Sequence, residues 1–87
     1  MARYFFHLRN GDTYADPEGV EFADLQACRV EAARMLSGVL RDRASEFWEK
    51  QSLKLMVTDE KGLILFVLNL SAVEAPAVSK ERQQTDA

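Results

Sequence analysis

His7 is the single histidine of the chain and Cys28 the single cysteine, so any nucleophile–base pair has one residue of each kind to draw on. His7 lies in residues 3–9, a run with aromatics at Tyr4, Phe5 and Phe6 that reads as a strand. On strand parity it shares a face with Arg3, Phe5 and Arg9. Cys28 falls in a stretch with helical spacing, so a Cys–His contact requires His7 to point at that helix. The plainer readings, a packed or interfacial histidine and a small core thiol, are preferred.

Two further constellations deserve weighing. Asp12, Asp16, Glu18, Glu21 and Asp24 crowd one segment as a hard-cation site would, yet their spacing does not follow the calcium-loop pattern and no carboxylate closes such a loop. Turn chemistry accounts for Asp12 and Asp16, and helix capping for Asp24. Arg3, Phe5, His7 and Arg9 on one strand face, with Phe66 and Lys54 as neighbours, are similar in kind to sheets that stack single-stranded bases on aromatics flanked by cations. The glycines of the ribonucleoprotein motif are missing, and Ile64 and Leu68 suit a protein contact better than a stacking platform. No phosphate-cradling glycine loop, HExxH or GxSxG occurs. The reading assigns no catalytic residue, no cofactor and no metal ligand.

The elements that must position these residues follow from pattern. The first strand stops at Asn10-Gly11-Asp12, a hairpin signal because both central residues tolerate positive φ. A second turn at 16–19 is set by Pro17 and Gly19, and residues 20–22 make a short edge strand. Asp24 caps a helix whose apolar stripe is Leu25, Cys28, Ala32, Met35, Leu36, Val39 and Leu40. Gly38 lies off the stripe, so the helix is expected to run through it. Phe47 continues the stripe and Glu46 pairs with Lys50 if the helix reaches Trp48; the end after Arg43 is left open by the spacing. Leu53, Leu55 and Val57 then alternate with Lys54, Met56 and Thr58, and residues 59–62 turn into a last strand over 63–70. The expected fold is α+β: an antiparallel sheet of three or four strands packed on one long amphipathic helix, in the order β-β-α-β-β. The domain is expected over residues 1–71. Residues 72–87, with Pro76 and a polar end, are read as a disordered tail.

The last strand is apolar on both sides, and one helix covers one face. The reading places Ile64, Phe66 and Leu68, with Phe5 and Met56, on the uncovered face as a self-association surface. The competing reading folds the Val20 region or the tail over that face.

Composition narrows the classes. The chain has 87 residues, 11 Lys and Arg against 14 Asp and Glu, and a net charge of −3, which provides no global field for polyanions. With 47% hydrophobic and 29% charged residues it is apolar enough to fold. A lone cysteine permits no intrachain disulfide. The N-terminal run is too short for a signal peptide, and residues 63–68 are too short to cross a bilayer core of ~30 Å. A cytoplasmic location with no membrane partner is expected.

Arg3-Tyr4-Phe5-Phe6-His7, then Gly11, Asp16, Gly19 and Glu21, then Ala27, Glu31 and Ala32, then Asp59-Glu60-x-Gly62, together resemble a family of short, mostly alphaproteobacterial proteins catalogued as a domain of unknown function. The opening RYFFH followed by a glycine-centred turn is the most specific part, and the resemblance covers residues 3 to about 70. It implies a bacterial origin and a compact strand-helix-hairpin unit, and brings no catalytic residue or cofactor with it. The functional expectation is a non-enzymatic, homodimeric binding or regulatory module. The alternative is a single-stranded nucleic-acid binder using Arg3, His7 and Arg9.

Overall fold

The computed structural model describes residues 2–77. Seven elements follow in order: β1 (Ala2–Asn10), β2 (Asp12–Tyr14), β3 (Val20–Phe22), α1 (Leu25–Asp42), α2 (Ala44–Lys50), β4 (Ser52–Thr58) and β5 (Ile64–Ser71). The class is α+β as expected, but with five strands and two helices. β1 lies inside the sheet, not at its margin: the order is β2-β1-β4-β5, with β3 also on β1. All pairings are antiparallel.

β1 is nine residues long and its outer edge is shared. β3 pairs with residues 2–4 and β2 with residues 8–10, which leaves the middle of that edge to be satisfied by something other than a strand. The hairpin into β2 turns at Gly11, whose φ of 81° is open to glycine without strain.

Asp24 has extended backbone, and its Oδ1 accepts from the Ala27 N–H at 2.8 Å, the N-cap arrangement the sequence implies. Gly38 lies within α1. The single long helix is a correction: the chain leaves helical geometry at Arg43 (φ −126°, ψ 40°) and resumes as α2. The kink coincides with the Arg43 guanidinium lying 5.9 Å from the centre of the Tyr14 ring. Phe47 is buried beyond the kink as the stripe predicts, whereas Glu46 and Lys50 form no ion pair among the described residues. Gln51, in left-handed geometry, ends α2 and hands the chain to β4.

The core lies between α1 and one sheet face. Tyr4 and Phe6 from β1, Leu55 and Val57 from β4, and Cys28 and Ala32 from α1 form it, with Phe66 and Leu68 packed against it. Leu53, Leu55, Val57 and Cys28 are the largest fully buried side chains; truncating one of the leucines to Ala costs about 2–5 kcal/mol at such sites. Phe66 stands opposite Val57 and Leu68 opposite Leu55, and residues directly opposed across a ladder project to the same face. Phe66 and Leu68 therefore belong to the helix side, a correction to their expected place on the uncovered face. The cause is register. Asp59 accepts from the N–H groups of Lys61 and Leu63 and closes a tight turn. A bulge then follows, because Val57 faces Phe66 while Thr58 faces Ile64, leaving Leu65 as the extra residue.

The expected disordered tail falls mainly on residues 78–87, which lie outside the described residues. Its start is tied down, since the Ala72 N–H donates to the Gln51 carbonyl at 3.1 Å.

Candidate functional site

The face away from α1 carries the odd-numbered residues of β1 and the even-numbered residues of β4. Ladder pairing arranges them in three rows: Phe5, Thr58 and Ile64; His7, Met56 and Val67; Arg9, Lys54 and Asn69. These rows contain most of the residues the sequence offers for chemistry, and the structure treats each row differently.

The first two rows are partly roofed by the 16–19 turn. Asp16 fills the gap in the β1 edge: its Oδ2 accepts from the Phe6 N–H at 3.1 Å, and its Oδ1 accepts from the N–H groups of Glu18 and Gly19, each at 3.1 Å. One carboxylate thus completes the ladder and shapes the turn. Arg3 clamps the turn from the far side, donating to the Glu18 carbonyl at 2.8 Å and the Gly19 carbonyl at 3.4 Å, and pairing with Glu21 at 3.3 Å. Gly19 (φ 72°) sits so close that a Cβ there would lie 2.9 Å from the Tyr4 carbonyl oxygen and 2.9 Å from the Phe5 ring. The segment that covers the β1 half of the face is this 16–19 turn, just before the Val20 region named in the competing reading, and Val20 itself lies in β3.

His7 lies beneath this turn. The Asp16 backbone N–H donates to its Nδ1 at 3.1 Å, and Nε2 is 3.0 Å from the Thr58 hydroxyl. Asp, His and Thr in sequence invite comparison with a nucleophile relay, but the roles are reversed. Nδ1 is an acceptor here, so the neutral ring carries its proton on Nε2 and donates it to Thr58 Oγ1. A base that activates a hydroxyl needs a lone pair on that nitrogen. The Asp16 carboxylate, turned to backbone N–H groups, does not orient the ring. The arrangement is a brace that ties the turn to β1 and β4. Cys28 is buried in α1 on the opposite side of the sheet, so the Cys–His contact is not formed, and burial pushes the thiol pKa up.

Burial alone raises the Asp16 pKa. The N–H groups of Gly19, Phe6 and Glu18 outweigh it, with His7 adding to them, and the carboxyl sits below its ordinary value. Among the described residues no group of three or more His, Cys, Asp or Glu side chains gathers to hold a metal ion.

Beyond the roof the face is open. Ile64 is 54% exposed, Leu65 36% and Val67 44%, beside half-buried Phe5 and Met56. Of the expected contact residues, Phe5, Met56 and Ile64 lie on this face, whereas Phe66 and Leu68 do not. Leu65 and Val67 are the residues the sequence reading missed. Their parity was visible in the sequence, but the side each parity faces depends on the register of the last hairpin. A depression of about 310 Å³ runs along the face between His7, Met56, Val67, Thr13, Arg9 and Lys54. At its charged end a second hollow of about 250 Å³ is lined by Arg9, Gly11, Lys50, Ser52 and Lys54. Of the expected ligand-contact residues, Arg3 is engaged in holding the turn, His7 braces the turn and also lines the larger depression, and Arg9 lines both hollows. Lys50 reaches it only because α2 ends above Gly11, which no local pattern reveals.

A small antiparallel α+β domain with one covered and one half-open sheet face is the class of protein these features define. Among the described residues no helix is long and apolar enough to cross a membrane. A family described as a domain of unknown function, DUF6894, matches residues 3–71, and the chain belongs to that family. No curated protein and no solved structure matches the chain.

Proposed function

We propose that this domain is a self-associating binding module, non-enzymatic in itself, in which two copies join by antiparallel pairing of their β5 edges. The observation that carries this reading is β5. Its eight residues include no charge, no proline and no glycine, and among the described residues it pairs with β4 on one side only. Natural edge strands are ordinarily blunted by lysine, proline or a cover, because their free N–H and C=O groups otherwise template pairing. A two-fold antiparallel contact is self-complementary, and uncharged strands meet without repulsion. Eight residues span about 26 Å, long enough for a continuous ladder. Ile64, Leu65 and Val67 of each copy would shelter one another beside it.

The test is molar mass by light scattering across a dilution series, for the native chain and for Val67→Lys and Phe66→Glu. A native dimer and a folded Val67→Lys monomer are expected, since Val67 projects from the open face. Phe66→Glu is expected to lose the fold, because its side chain packs on the core. A native chain that is monomeric at every concentration overturns the reading. So does a Val67→Lys variant that remains dimeric.

A further inference from the structure

The third row of the open face poses a problem that self-association does not solve. Arg9 and Lys54 are directly opposite each other across β1 and β4, and like charges so placed repel. Lys50 closes on the same point from α2: a Cβ at Gly11 would lie 3.0 Å from its Cε and 3.6 Å from its Nζ. Gly11 thus leaves space for the lysine to fold over the turn toward the sheet. None of the ion pairs formed among the described residues includes Arg9, Lys50 or Lys54, and no acidic side chain lines the hollow they share. Three cations converge with no paired carboxylate among the described residues. Ser52, two residues before Lys54 on the same strand face, adds a hydroxyl to the lining.

The neighbouring depression has the opposite character. It is bounded by Met56, Val67, Thr13 and the His7 ring, and it shares Arg9 and Lys54 with the cationic hollow. The two adjoin at Arg9 and Lys54, which sets a cationic hollow beside an apolar trough. A free inorganic anion would use only the first. A neutral lipid or an apolar peptide would use only the second and leave the cations uncompensated.

We propose that this corner of the sheet binds a small amphipathic anion. Its carboxylate or phosphate head lies between Arg9, Lys50 and Lys54, and its apolar body lies along the trough beside Met56 and Val67. Arg9 offers a planar fork of donors to either head group, and the two lysines act as point charges beside it. The apolar body lies against the Met56 thioether, whose flexibility suits ligands of varied shape. The site is built from one chain, so it goes beyond self-association and does not depend on it. Pairing at the β5 edge touches the Val67 margin of the trough and leaves Arg9, Lys50, Lys54 and Met56 open.

Backbone amide chemical-shift titrations test the assignment, using octanoate, octyl phosphate and octan-1-ol as probes on the full chain. At least one of the two anions is expected to bind about tenfold or more tightly than the alcohol, with shifts concentrated at Gly11, Ser52, Lys54, Met56 and Val67. Which anion binds more tightly identifies the head group. Arg9→Gln combined with Lys54→Gln is expected to bring anion affinity down to that of the alcohol while the melting temperature holds or rises, because the like-charge pair is gone. Equal binding of all three probes, or shifts centred elsewhere, overturns the proposal. Tighter binding of a twelve-nucleotide oligodeoxythymidine than of either anion at the same amides also overturns it, in favour of an extended polyanion. The light-scattering result is a separate measurement, so failure of one reading leaves the other standing.

Discussion

Asp16 is where a single atom-level change should have the largest effect for the least exposed bulk. Replacing it with Ala removes the acceptor for the N–H groups of Phe6, Glu18 and Gly19 together. A hydrogen bond to an ionised acceptor contributes roughly 1.5–3 kcal/mol when dry, and about 1 kcal/mol is the better figure for a carboxylate still in partial contact with water. Three such bonds give about 3 kcal/mol. In a domain of this size 1 kcal/mol moves the melting temperature by roughly 4–8 °C, so the expected fall is about 12–24 °C. Asp16→Asn should cost about half as much, because the amide oxygen can keep Glu18 and Gly19 while the amide nitrogen faces the Phe6 N–H. The asparagine variant also isolates the charge. A carboxyl held below its ordinary value in the fold stabilises fully above its unfolded value near 3.9, and loses that contribution as pH falls through the folded value. The gap between native and Asp16→Asn protein should therefore be flat above about pH 5 and close below about pH 4. Urea unfolding followed by far-UV circular dichroism at about pH 7 and about pH 3 measures it. A gap under about 0.5 kcal/mol at neutral pH, or one that persists unchanged in acid, would refute the role assigned to the carboxylate.

Gly19 and Gly62 separate close approach from backbone conformation. Both have positive φ, but a Cβ at Gly19 meets the Tyr4 carbonyl while one at Gly62 meets nothing within 4 Å. Gly62→Ala should cost about 1–2 kcal/mol and Gly19→Ala about 2–4 kcal/mol; equal losses in urea unfolding would mean that the turn can lift off β1 freely. Cys28 has no exposed surface, and its thiol is held protonated by burial. An aromatic disulfide reagent should modify it at least about a thousandfold more slowly in the native protein than in denaturant, and similar rates in both would place the thiol outside the core.

How far the sequence specifies the fold depends on how local each determinant is. The Asp24 cap, the 59–62 turn and the Leu53, Leu55, Val57 alternation are each settled within a few residues and are legible as written; Asn10-Gly11 marks the hairpin, but Asn10 stays in β1 opposite Asp12 and Gly11 takes the positive φ. The side to which β5 turns its two apolar rows is not local. Both parities are apolar, so periodicity cannot rank them; the Asp59 turn and the bulge at Leu65 decide, and one residue of register exchanges the rows. The break at Arg43 has no local signal such as proline or glycine, and its guanidinium lies 5.9 Å from the ring of Tyr14, which is remote in sequence. Asp16 and Gly19 read as ordinary turn residues. Their further work, completing the β1 edge and allowing close contact with Phe5, follows from β1 being the strand that β2, β3 and β4 all share.

That central position of β1 also explains why the open face divides as it does. A single layer of helix leaves one side of the sheet bare, and the chain covers part of it with a four-residue turn held by Asp16, Arg3 and His7. The turn reaches no further than the β1 half, because its anchors are β1 residues and the Thr58 hydroxyl. What stays bare has two unlike ends. Toward Ile64, Leu65 and Val67 it is apolar and borders a strand edge that no other described strand pairs, so a second β5 would satisfy side chains and backbone at once. Toward Arg9 and Lys54 it is cationic, and stacking two such faces would bring four of these charges together at high cost in a desolvated contact. Repulsion at that end thus favours joining at the edge over joining face to face, and it keeps the cationic corner accessible to an anion whether the domain is single or paired.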